Sequence, residues 1–420
     1  PSGKPGALFY NFDLKTIEFF DGNSWRQVDN TTTRGRGFAF AGYQVPVAYS
    51  TIRFVEIATQ GNAQYFGDLS ATTRMGAAFG NTTRGIHACL YPSSLANIDY
   101  INIQSQGNAI DWGADRTVNA QQMASLASST RGIFAGGAST NVIDFVEIMT
   151  TGNATDFGDL ISKNNSGAGA GNLTRGIQVS GNDPNGATNV IQFVTIASTG
   201  NAQDFGDVGY ERCNSGAVSN QTRLVYSGGE GMSSPYPKLN NIEFITFAST
   251  GNGTDFGDQV TLVNSPYGVS SPTRGVFMGG SGATPAIQKI EIATTGDSVL
   301  FGDLTSALYN VRGTITNGHR GIIAGGVISP TGRVNNIDFI TIQSGGKSIT
   351  FGDLTDARDP SNLSSMTRGV MLSGDYPANV NIMDFIEIMT TGNAVDFGDC
   401  NKSSASSTAS NGHGGLADAM

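Results

Sequence analysis

Short apolar runs, each closed by glycine, serine or asparagine, follow one another along most of this chain. One stretch shows the order in full: "RGIFAGG" (131–137), "NVIDFVEI" (141–148), "TDFGDL" (155–160) and "SGAGAGN" (166–172). Each run has the length of a strand, and the residues between the runs favour tight turns. Almost every position of 142–148 is apolar, which is typical of a strand covered on both faces. The pattern therefore predicts four short strands in each unit.

This unit recurs eight times, marked by a Phe-Gly-Asp triplet and by a Thr-Arg-Gly triplet or a near copy of it. The first marker occurs at 66–68, 157–159, 205–207, 256–258, 301–303, 351–353 and 397–399, and as "DWGA" at 111–114. The second places an arginine in the same phase each time, at Arg34, Arg84, Arg131, Arg175, Arg223, Arg274, Arg320 and Arg368. Successive copies lie 45–51 residues apart. Such a unit is too small to bury a core alone, so neighbouring copies must pack together.

Four strands in a period of this length predict an all-β protein with the β-propeller fold, whose closed ring leaves only short sheet edges. We expect eight four-stranded blades within residues 31–420. Repeat two lacks the paired glycines in "RGIHACLYP" and the last aspartate in "DWGA". Seven blades with an irregular segment are therefore the alternative. Residues 1–30 predict a short N-terminal β-hairpin module, too small to be stable without docking on the propeller or on a partner.

Paired glycines end the first strand of several units, as at Gly136 and Gly137. Glycine suits a tight turn or a close approach of two backbones, and the pairs predict one or the other. Insertions such as "GEGMSSPYPKLNN" (229–241) follow these glycines. We expect the insertions to form loops clustered on one face of the ring.

Composition and charge narrow the functional classes. Glycine accounts for 57 of 420 residues, charged residues for 14%, and the net charge is −10. The acidic balance disfavours nucleic-acid binding. No apolar run approaches the length of about 20 residues that spans a bilayer, and the N-terminus lacks the apolar region of a signal peptide. We therefore expect that the chain does not insert into a membrane and that it is synthesised in a cytoplasm. Cys89, Cys213 and Cys400 are widely spaced, which predicts neither a disulfide framework nor a redox pair.

The repeated acids are the first candidates for chemistry, because two close carboxylates can serve as acid and base or bind a cation. A catalytic pair is needed once, however, whereas a turn-capping aspartate is needed in every blade. We therefore expect structural roles, with no metal, cofactor or catalytic residue. The residues assigned to the structural repeat are Arg131, Gly136, Gly137, Asp156, Phe157, Gly158, Asp159, Phe205, Gly206, Asp207, Phe256, Gly257, Asp258, Phe397, Gly398 and Asp399.

Other chemistry finds little support. The eight repeated arginines might ring a channel and hold an anion; the interpretation preferred here is that they tie blades together through backbone carbonyls or the repeated aspartates. His87, His319 and His413 have no metal-ligand spacing. No Gly-x-Ser-x-Gly element with suitable partners occurs, which disfavours a serine hydrolase. Two tryptophans, Trp25 and Trp112, are too few for a repeated sugar-stacking site.

The order of segments in 131–172 resembles the kelch repeat, with phenylalanine where kelch has tryptophan. More specifically, "TTGNATDFGDL" with "TRGIFAGG" resembles the repeated units of virion structural proteins of tailed bacteriophages, especially phages of cyanobacteria, over residues 33–416. The segment "GALFYNFDLKTIEFFDGNSWRQV" (6–28) is similar to a small β module of phage tail, fibre and baseplate proteins. The resemblance implies particle assembly or host attachment.

We therefore expect a non-enzymatic virion protein, in the tail as a fibre or baseplate component, with capsid decoration as the alternative. Its expected partners are other virion proteins, further copies of itself in a symmetric assembly, and a host cell-surface glycan. A glycan-binding adhesin using loop residues such as Tyr236 and Tyr376 is a second hypothesis. A glycan depolymerase with one acidic pair in a loop groove is the third.

Overall fold

The computed structural model describes the chain with gaps, and all structural statements concern the described part. The described residues are 4, 7–11, 16–20, 25–27, 35–44, 47–57, 60–74, 77–81, 83–88, 91–92, 97–103, 105–113, 116–118, 123–128, 130–137, 140–163, 168–171, 174–183, 186–231, 237–263, 265–280, 284–308, 314–328, 331–365, 367–374, 380–400 and 407–410. Every regular element among them is a strand. No helix long and apolar enough to cross a membrane occurs within these ranges.

Three strands precede the repeats and form an antiparallel sheet of their own in the order β1-β2-β3. They are β1 (Leu8–Asn11), β2 (Thr16–Phe20) and β3 (Trp25–Gln27). Phe20 pairs with Trp25 across the second connection. The turn expected at 21–23 lies outside the described residues, and the boundary of an independent module at residue 30 stays a prediction.

The strands of the first four blades are short, apart from a few that extend into longer hairpins. They are β4 (Arg36–Gln44), β5 (Val47–Glu56), β6 (Gln64–Arg74), β7 (Ala77–Gly80), β8 (Arg84–Ala88), β9 (Tyr91–Pro92), β10 (Ile98–Asn102), β11 (Ile110–Asp111), β12 (Ala124–Ala127), β13 (Arg131–Ala135), β14 (Val142–Glu147), β15 (Thr155–Asp159), β16 (Ala168–Gly171), β17 (Arg175–Asp183), β18 (Gly186–Thr195) and β19 (Gln203–Asp207).

The last four blades repeat the same lengths with less variation. Their strands are β20 (Gly216–Ser219), β21 (Arg223–Ser227), β22 (Asn241–Thr246), β23 (Thr254–Asp258), β24 (Tyr267–Ser270), β25 (Arg274–Met278), β26 (Ala286–Glu291), β27 (Val299–Asp303), β28 (Thr314–Thr316), β29 (Arg320–Ala324), β30 (Val327–Ile328), β31 (Gly332–Arg333), β32 (Asn336–Thr341), β33 (Ile349–Asp353), β34 (Ser361–Ser364), β35 (Arg368–Leu372), β36 (Ile382–Glu387) and β37 (Val395–Asp399). The last strand of the chain, β38 (Ser407–Ser410), belongs to blade 1.

Eight antiparallel sheets form the blades of a β-propeller, which confirms the predicted fold and the number of blades. From the inner to the outer strand, blade 1 is β38-β4-β5-β6, with β9 added at its outer edge. Blades 2 to 6 are β7-β8-β10-β11, β12-β13-β14-β15, β16-β17-β18-β19, β20-β21-β22-β23 and β24-β25-β26-β27. Blades 7 and 8 are β28-β29-β32-β33 and β34-β35-β36-β37. Repeat two therefore forms a regular blade, although its outer strand β11 has only two residues.

The sequence repeat and the blade differ in phase by one strand. The small-residue segment that ends each repeat forms the inner strand of the next blade, as β16 does in blade 4. The last such segment, β38, has no following repeat and pairs instead with β4 in the first blade. The two ends of the propeller chain thus meet in blade 1, and a four-residue strand closes the ring.

The apolar core is divided among the joints between blades. Eight clusters of buried residues occur in the described part of the chain, and each draws its members from two consecutive blades. The cluster between blades 8 and 1 joins Met383 and Phe397 to Val55 and Ile57. No blade has a core of its own, which is why a repeat of this size requires its neighbours.

The two faces of the ring carry different connections, because successive strands of an antiparallel sheet run in opposite directions. In blade 3 the ends of β12 and β14 and the starts of β13 and β15 lie on one face, named here the turn face. The ends of β13 and β15 and the start of β14 lie on the other, named here the loop face. The extended hairpin of β17 and β18, the small hairpin of β30 and β31, and the described residues of the insertion that follows Gly229 all lie on the loop face, as the sequence predicts.

Candidate functional site

The repeated arginine forms a joint between consecutive blades. Nη1 of Arg131 in blade 3 donates a hydrogen bond of 2.9 Å to the carbonyl oxygen of Ile196 in blade 4. Its Nε donates to Glu147 at 2.7 Å, and its guanidinium lies 4.4 Å from the centroid of the Phe145 ring. A guanidinium can meet all three demands because its donors form a planar fork and its face is weakly hydrated.

The same bond recurs at every joint of the ring. Nη1 donates to the next blade's carbonyl oxygen in the pairs Arg36–Ile103, Arg84–Ile148, Arg131–Ile196, Arg175–Phe247, Arg223–Ile292, Arg274–Ile342, Arg320–Ile388 and Arg368–Ile57. The acceptors are backbone carbonyls, and the repeated aspartates take no part in these bonds. Each of these arginines therefore commits at least one guanidinium donor to the joint with the next blade.

The first blade corrects the sequence interpretation. The sequence "TTTRGRG" offers two arginines, and Arg34 was the one assigned to the repeat. The structure gives the role to Arg36, which pairs in register with Glu56 and bonds to Ile103. Arg34 lies outside the described residues. The overlapping triplets look equivalent in sequence, and only the strand register separates them.

The Phe-Gly-Asp triplet forms the second joint, on the outer strand. In blade 3 the carbonyl oxygens of Phe157 and Asp159 accept hydrogen bonds of 2.7 and 2.8 Å from the amides of Gly200 and Ala202 in blade 4. The amide of Asp159 donates to the side chain of Asn201 at 3.1 Å. The outer strand of one blade is thereby fastened to the turn of the next at three points.

Gly158 is required where these backbones meet. A Cβ atom at Gly158 would lie 2.5 Å from the carbonyl carbon of Gly200, and φ of Gly158 is +142°. Phe157 is buried and meets Phe145 edge to face at 5.8 Å. The same joint includes Phe205, Gly206 and Asp207 with 251–253, Phe256, Gly257 and Asp258 with 296–298, and Phe397, Gly398 and Asp399 with 61–63.

The two aspartates of each repeated pair both contribute to backbone hydrogen bonding, but in different ways. Oδ1 of Asp204 accepts a hydrogen bond of 2.9 Å from the amide of Gly206, and Asp255 and Asp396 do the same for their own glycines. The second aspartate of each pair engages the next blade through its backbone. Among the residues that the structure describes, no group of three or more histidine, cysteine, aspartate or glutamate side chains could hold a metal ion.

Gly136 and Gly137 both have positive φ, +61° and +129°, where the first long strand of blade 3 ends. The amide of Gly136 donates to the carbonyl oxygen of Val142 at 3.0 Å, which reverses the chain. The corresponding Gly325 of blade 7 lies against the linker that leads on to blade 8, since a Cβ there would be 2.1 Å from the carbonyl oxygen of Arg358. At the paired glycines, the chain reversal and the close approach of two backbones therefore both occur, although the sequence had predicted one or the other.

Three buried ion pairs were missed in the sequence. Arg116 bonds Asp144 at 2.9 Å, with both side chains inaccessible. Equivalent pairs join Arg212 to Glu243 and Arg358 to Asp384. Each joins a linker on the loop face to the third strand of the following blade. Desolvation lowers the pKa of Arg116 and Arg212, and the paired carboxylates oppose that shift.

The available signal for these pairs was a polar residue at one position of an otherwise apolar strand. Asp144, Glu243 and Asp384 hold that position in "VIDFVE", "NIEFIT" and "IMDFIE". The arginine lies in a linker of variable length, so no fixed spacing connects the partners in the sequence. Because desolvating two charges is costly, such a pair adds little net stability. It is better read as fixing where the linker lies against the third strand of the blade.

The remaining candidates are scattered. His87 is buried in β8 and stacks on Phe40 at 5.5 Å, and burial lowers the pKa of its imidazole to about 3. His319 is exposed in a turn. Cys213 is buried and Cys400 half-buried. The residues Cys89, His413, Tyr236 and Tyr376 lie outside the described part of the chain.

The loop face is the candidate functional surface, because the differences between repeats accumulate there. Exposed apolar side chains occur on three successive linkers of this face, at Ile161, Tyr210, Val260 and Leu262. The turn face, by contrast, repeats the same arginine bonds at each joint. A surface with irregular loops on a rigid ring is suited to binding, since the scaffold holds the loops in fixed positions.

The comparisons with known proteins add little beyond the fold. No family model matches the chain, and no curated protein matches it. A solved structure described as "Structure of YjhT" is similar to 67% of this chain and 98% of its own, with a TM-score of 0.46 and 10% identity. A similarity at this level indicates nothing about function.

Proposed function

We propose that this chain is a non-enzymatic structural protein of a tailed-phage virion that uses its propeller as a rigid disc for assembly and host attachment. The observation that carries the proposal is the use of the repeated residues. The repeated arginines and Phe-Gly-Asp triplets, the strongest candidates for chemistry in the sequence, are engaged in joints between blades. What varies from blade to blade is the loop face, which is the part of a propeller suited to contact a partner.

The phage assignment rests on the sequence resemblance of residues 33–416 and of the N-terminal segment 6–28. The fold is compatible with a binding function, and the lack of repetition on the loop face supports contact with a different molecule. We place the protein in the tail, with other virion proteins and further copies of itself as partners. Capsid decoration is the alternative location.

Particle fractionation tests the proposal. Virions from the source should be purified on a density gradient and digested with trypsin, and peptides of this chain should be quantified by mass spectrometry across the gradient. The proposal predicts that the peptides comigrate with the major capsid protein at a constant ratio. Peptides confined to the soluble fractions would contradict a virion role.

The proposed absence of catalysis has its own test. The purified chain should be incubated with polysaccharide from the host surface, and new reducing ends should be measured over time. No release above that of heat-denatured protein is expected. Steady release of sugar would favour the depolymerase hypothesis instead.

A further inference from the structure

Two aromatic side chains are at least half exposed among the residues whose side chains the structure describes. Tyr65 is 50% exposed on the outer strand of blade 1, and Tyr210 is 54% exposed on a linker of the loop face. Their surroundings differ. Tyr65 has polar neighbours that fix its position, whereas no side-chain hydrogen bond of the Tyr210 hydroxyl occurs among the described contacts.

Tyr65 departs from the repeat at a position with a structural task elsewhere. Five blades have aspartate directly before the aromatic residue of the outer strand, and in four of them its carboxylate accepts a hydrogen bond from the following glycine. The residues at this position are Tyr65, Asp111, Asp156, Asp204, Asp255, Leu300, Thr350 and Asp396. Blade 1 therefore replaces a capping carboxylate with an aromatic ring.

Asp68 and Arg53 contact Tyr65 directly, and Ser50 in turn holds the Asp68 carboxylate. The Tyr65 hydroxyl donates to Oδ2 of Asp68 at 2.5 Å, and the other carboxylate oxygen accepts from the hydroxyl of Ser50 at 3.2 Å. Arg53 is the cross-strand partner of Tyr65, and its Cζ lies 5.8 Å from the ring centroid. The hydrogen bond to Asp68 raises the pKa of Tyr65, which keeps the phenol protonated as a donor.

We propose that Tyr65, with Ser50, Arg53 and Asp68, forms a binding site for a neutral hexopyranose unit of a polysaccharide on the rim of blade 1. The C–H face of a pyranose is apolar and stacks on an exposed aromatic ring, while its hydroxyls bond to planar carboxylate and guanidinium groups. The tyrosine is already fixed by its bond to Asp68, so little side-chain freedom is lost on binding.

The charges select the class of sugar. Arg53 and Asp68 place one positive and one negative group beside the ring, and the whole chain carries a net charge of −10. A uronate or sulfated sugar would meet long-range repulsion, whereas a neutral sugar would not. A shallow site of this size gives a dissociation constant on the order of 1 mM, which becomes useful when many copies bind one surface. The site deepens the attachment role proposed above.

Saturation-transfer NMR on the full-length chain tests the site. The neutral probes are maltohexaose, cellohexaose and mannohexaose, and a hyaluronan hexasaccharide is the acidic control. We expect saturation transfer to at least one neutral probe and weaker or no transfer to the acidic one. Binding to none of the neutral probes, or a preference for hyaluronan, would overturn the proposal.

Point variants test whether the sugar binds at Tyr65. Tyr65→Ala should weaken binding of the neutral probe at least tenfold, whereas Leu300→Ala, which removes a side chain 53% exposed at the same position of blade 6, should leave it unchanged. Tyr65→Phe retains the ring and removes the bond to Asp68, so an intermediate loss of a few fold is expected. Because Tyr65 and Leu300 are both exposed, melting temperatures should stay close to that of the unmodified chain.

Unchanged binding in Tyr65→Ala, or loss in Leu300→Ala, would show that the sugar binds elsewhere. The outcome is separable from the virion proposal, since particle fractionation reports location without reference to sugar. If the chain binds sugar but is absent from virions, the sugar site is supported and the virion role is contradicted. If the chain is a virion component but binds no neutral sugar, the virion role is supported and the sugar site is contradicted.

Discussion

Arg368 in the last blade donates a hydrogen bond of 2.9 Å to the carbonyl oxygen of Ile57 in the first, across 311 positions of sequence. The bond is chemically the same as that from Arg131 to Ile196, where the two blades are consecutive in the chain. Both arginines also pair with a glutamate and stack on a phenylalanine. The joint between the last and the first blade thus uses the same contacts as the internal joints, and it adjoins the blade in which the two ends of the propeller chain pair, β38 with β4.

Arg368→Ala and Arg131→Ala form a matched pair of variants. Each removes a charged hydrogen bond, an ion pair and a cation–π contact, and each should lower the free energy of unfolding by about 1–3 kcal/mol. The variants should differ in local opening. Hydrogen exchange in 36–44 should accelerate far more in Arg368→Ala, because the first blade is held by a four-residue strand and this joint.

Equal exchange in the two variants would contradict the view that the closing joint is the point of local opening. Lys347→Ala serves as the control for loss of a positive charge, since Lys347 is exposed in a turn. Its effect on unfolding should stay within about 0.5 kcal/mol.

A second prediction concerns the glycine of the outer strand. Gly158 and Gly152 have almost the same φ, +142° and +145°, but a Cβ at Gly158 would strike the backbone of blade 4, whereas nothing lies within 4 Å of one at Gly152. Gly152→Ala should therefore cost about 1 kcal/mol from backbone strain alone. Gly158→Ala should cost at least about 2 kcal/mol more, because the joint itself must move. Urea unfolding of the two variants measures the difference, and equal midpoints would show that the close approach is unimportant.

A third prediction concerns the contact between the second strand of blade 6 and the inner strand of blade 5. A Cβ at Gly275 in blade 6 would lie 2.5 Å from Cγ2 of Val218 in blade 5. Gly275→Ala and Val218→Ala should each destabilise the protein by about 1–3 kcal/mol, the first by overpacking and the second by leaving a cavity. In the double variant the added methyl enters the vacated space, so the loss should be at least about 1 kcal/mol less than the sum. Additive losses would mean that the two residues do not interact.

The natural sequence already combines a larger residue at the glycine position with a smaller residue at the position of Val218, in another joint of the ring. In blade 5 the position of the repeated glycine is occupied by Leu224, which is buried. The register position of blade 4 that corresponds to Val218 is Ala170. A large residue at one position thus accompanies a small residue at the other. This pairing could not be read from the sequence because the two positions lie in different repeats and only the blade order relates them.

The fold and the number of blades could be predicted because each repeat presents its strands and turns locally. The phase of the blades could not, since the closing strand "STAS" (407–410) has no local feature that distinguishes it, and its partner lies at the other end of the propeller. The choice of Arg36 over Arg34 depended on register. The buried partner of Asp144 was hidden for a similar reason: Arg116 lies in a linker whose path is set by the assembled ring.

A fourth prediction follows from His87. Burial lowers its pKa from 6.5 to about 3 in the folded chain. Between these values the unfolded chain binds more protons, so the stability that His87 contributes is fully present above about pH 6.5 and is lost as the pH falls toward 3. The loss should approach about 1.4 kcal/mol per pH unit. Asp99 lies opposite His87 in register.

Urea unfolding of the wild type and of His87→Phe between pH 7.5 and pH 5 measures the contribution. Phenylalanine can keep the stacking on Phe40 without a titrating group. The stability of the variant should fall less steeply with decreasing pH, and the difference between the two slopes isolates the imidazole from the carboxylates. Parallel curves would show that His87 can be protonated in the folded chain at little cost.

The most direct test of the proposed function is gold labelling of intact particles with antibody raised against the purified chain. We predict gold at the tail end of the virion, where a rigid disc with an irregular loop face would serve baseplate architecture or attachment. Gold over the head would instead support the alternative that the protein decorates the capsid. Particles that stay unlabelled, while the antibody still recognises the free chain, would contradict the virion role altogether.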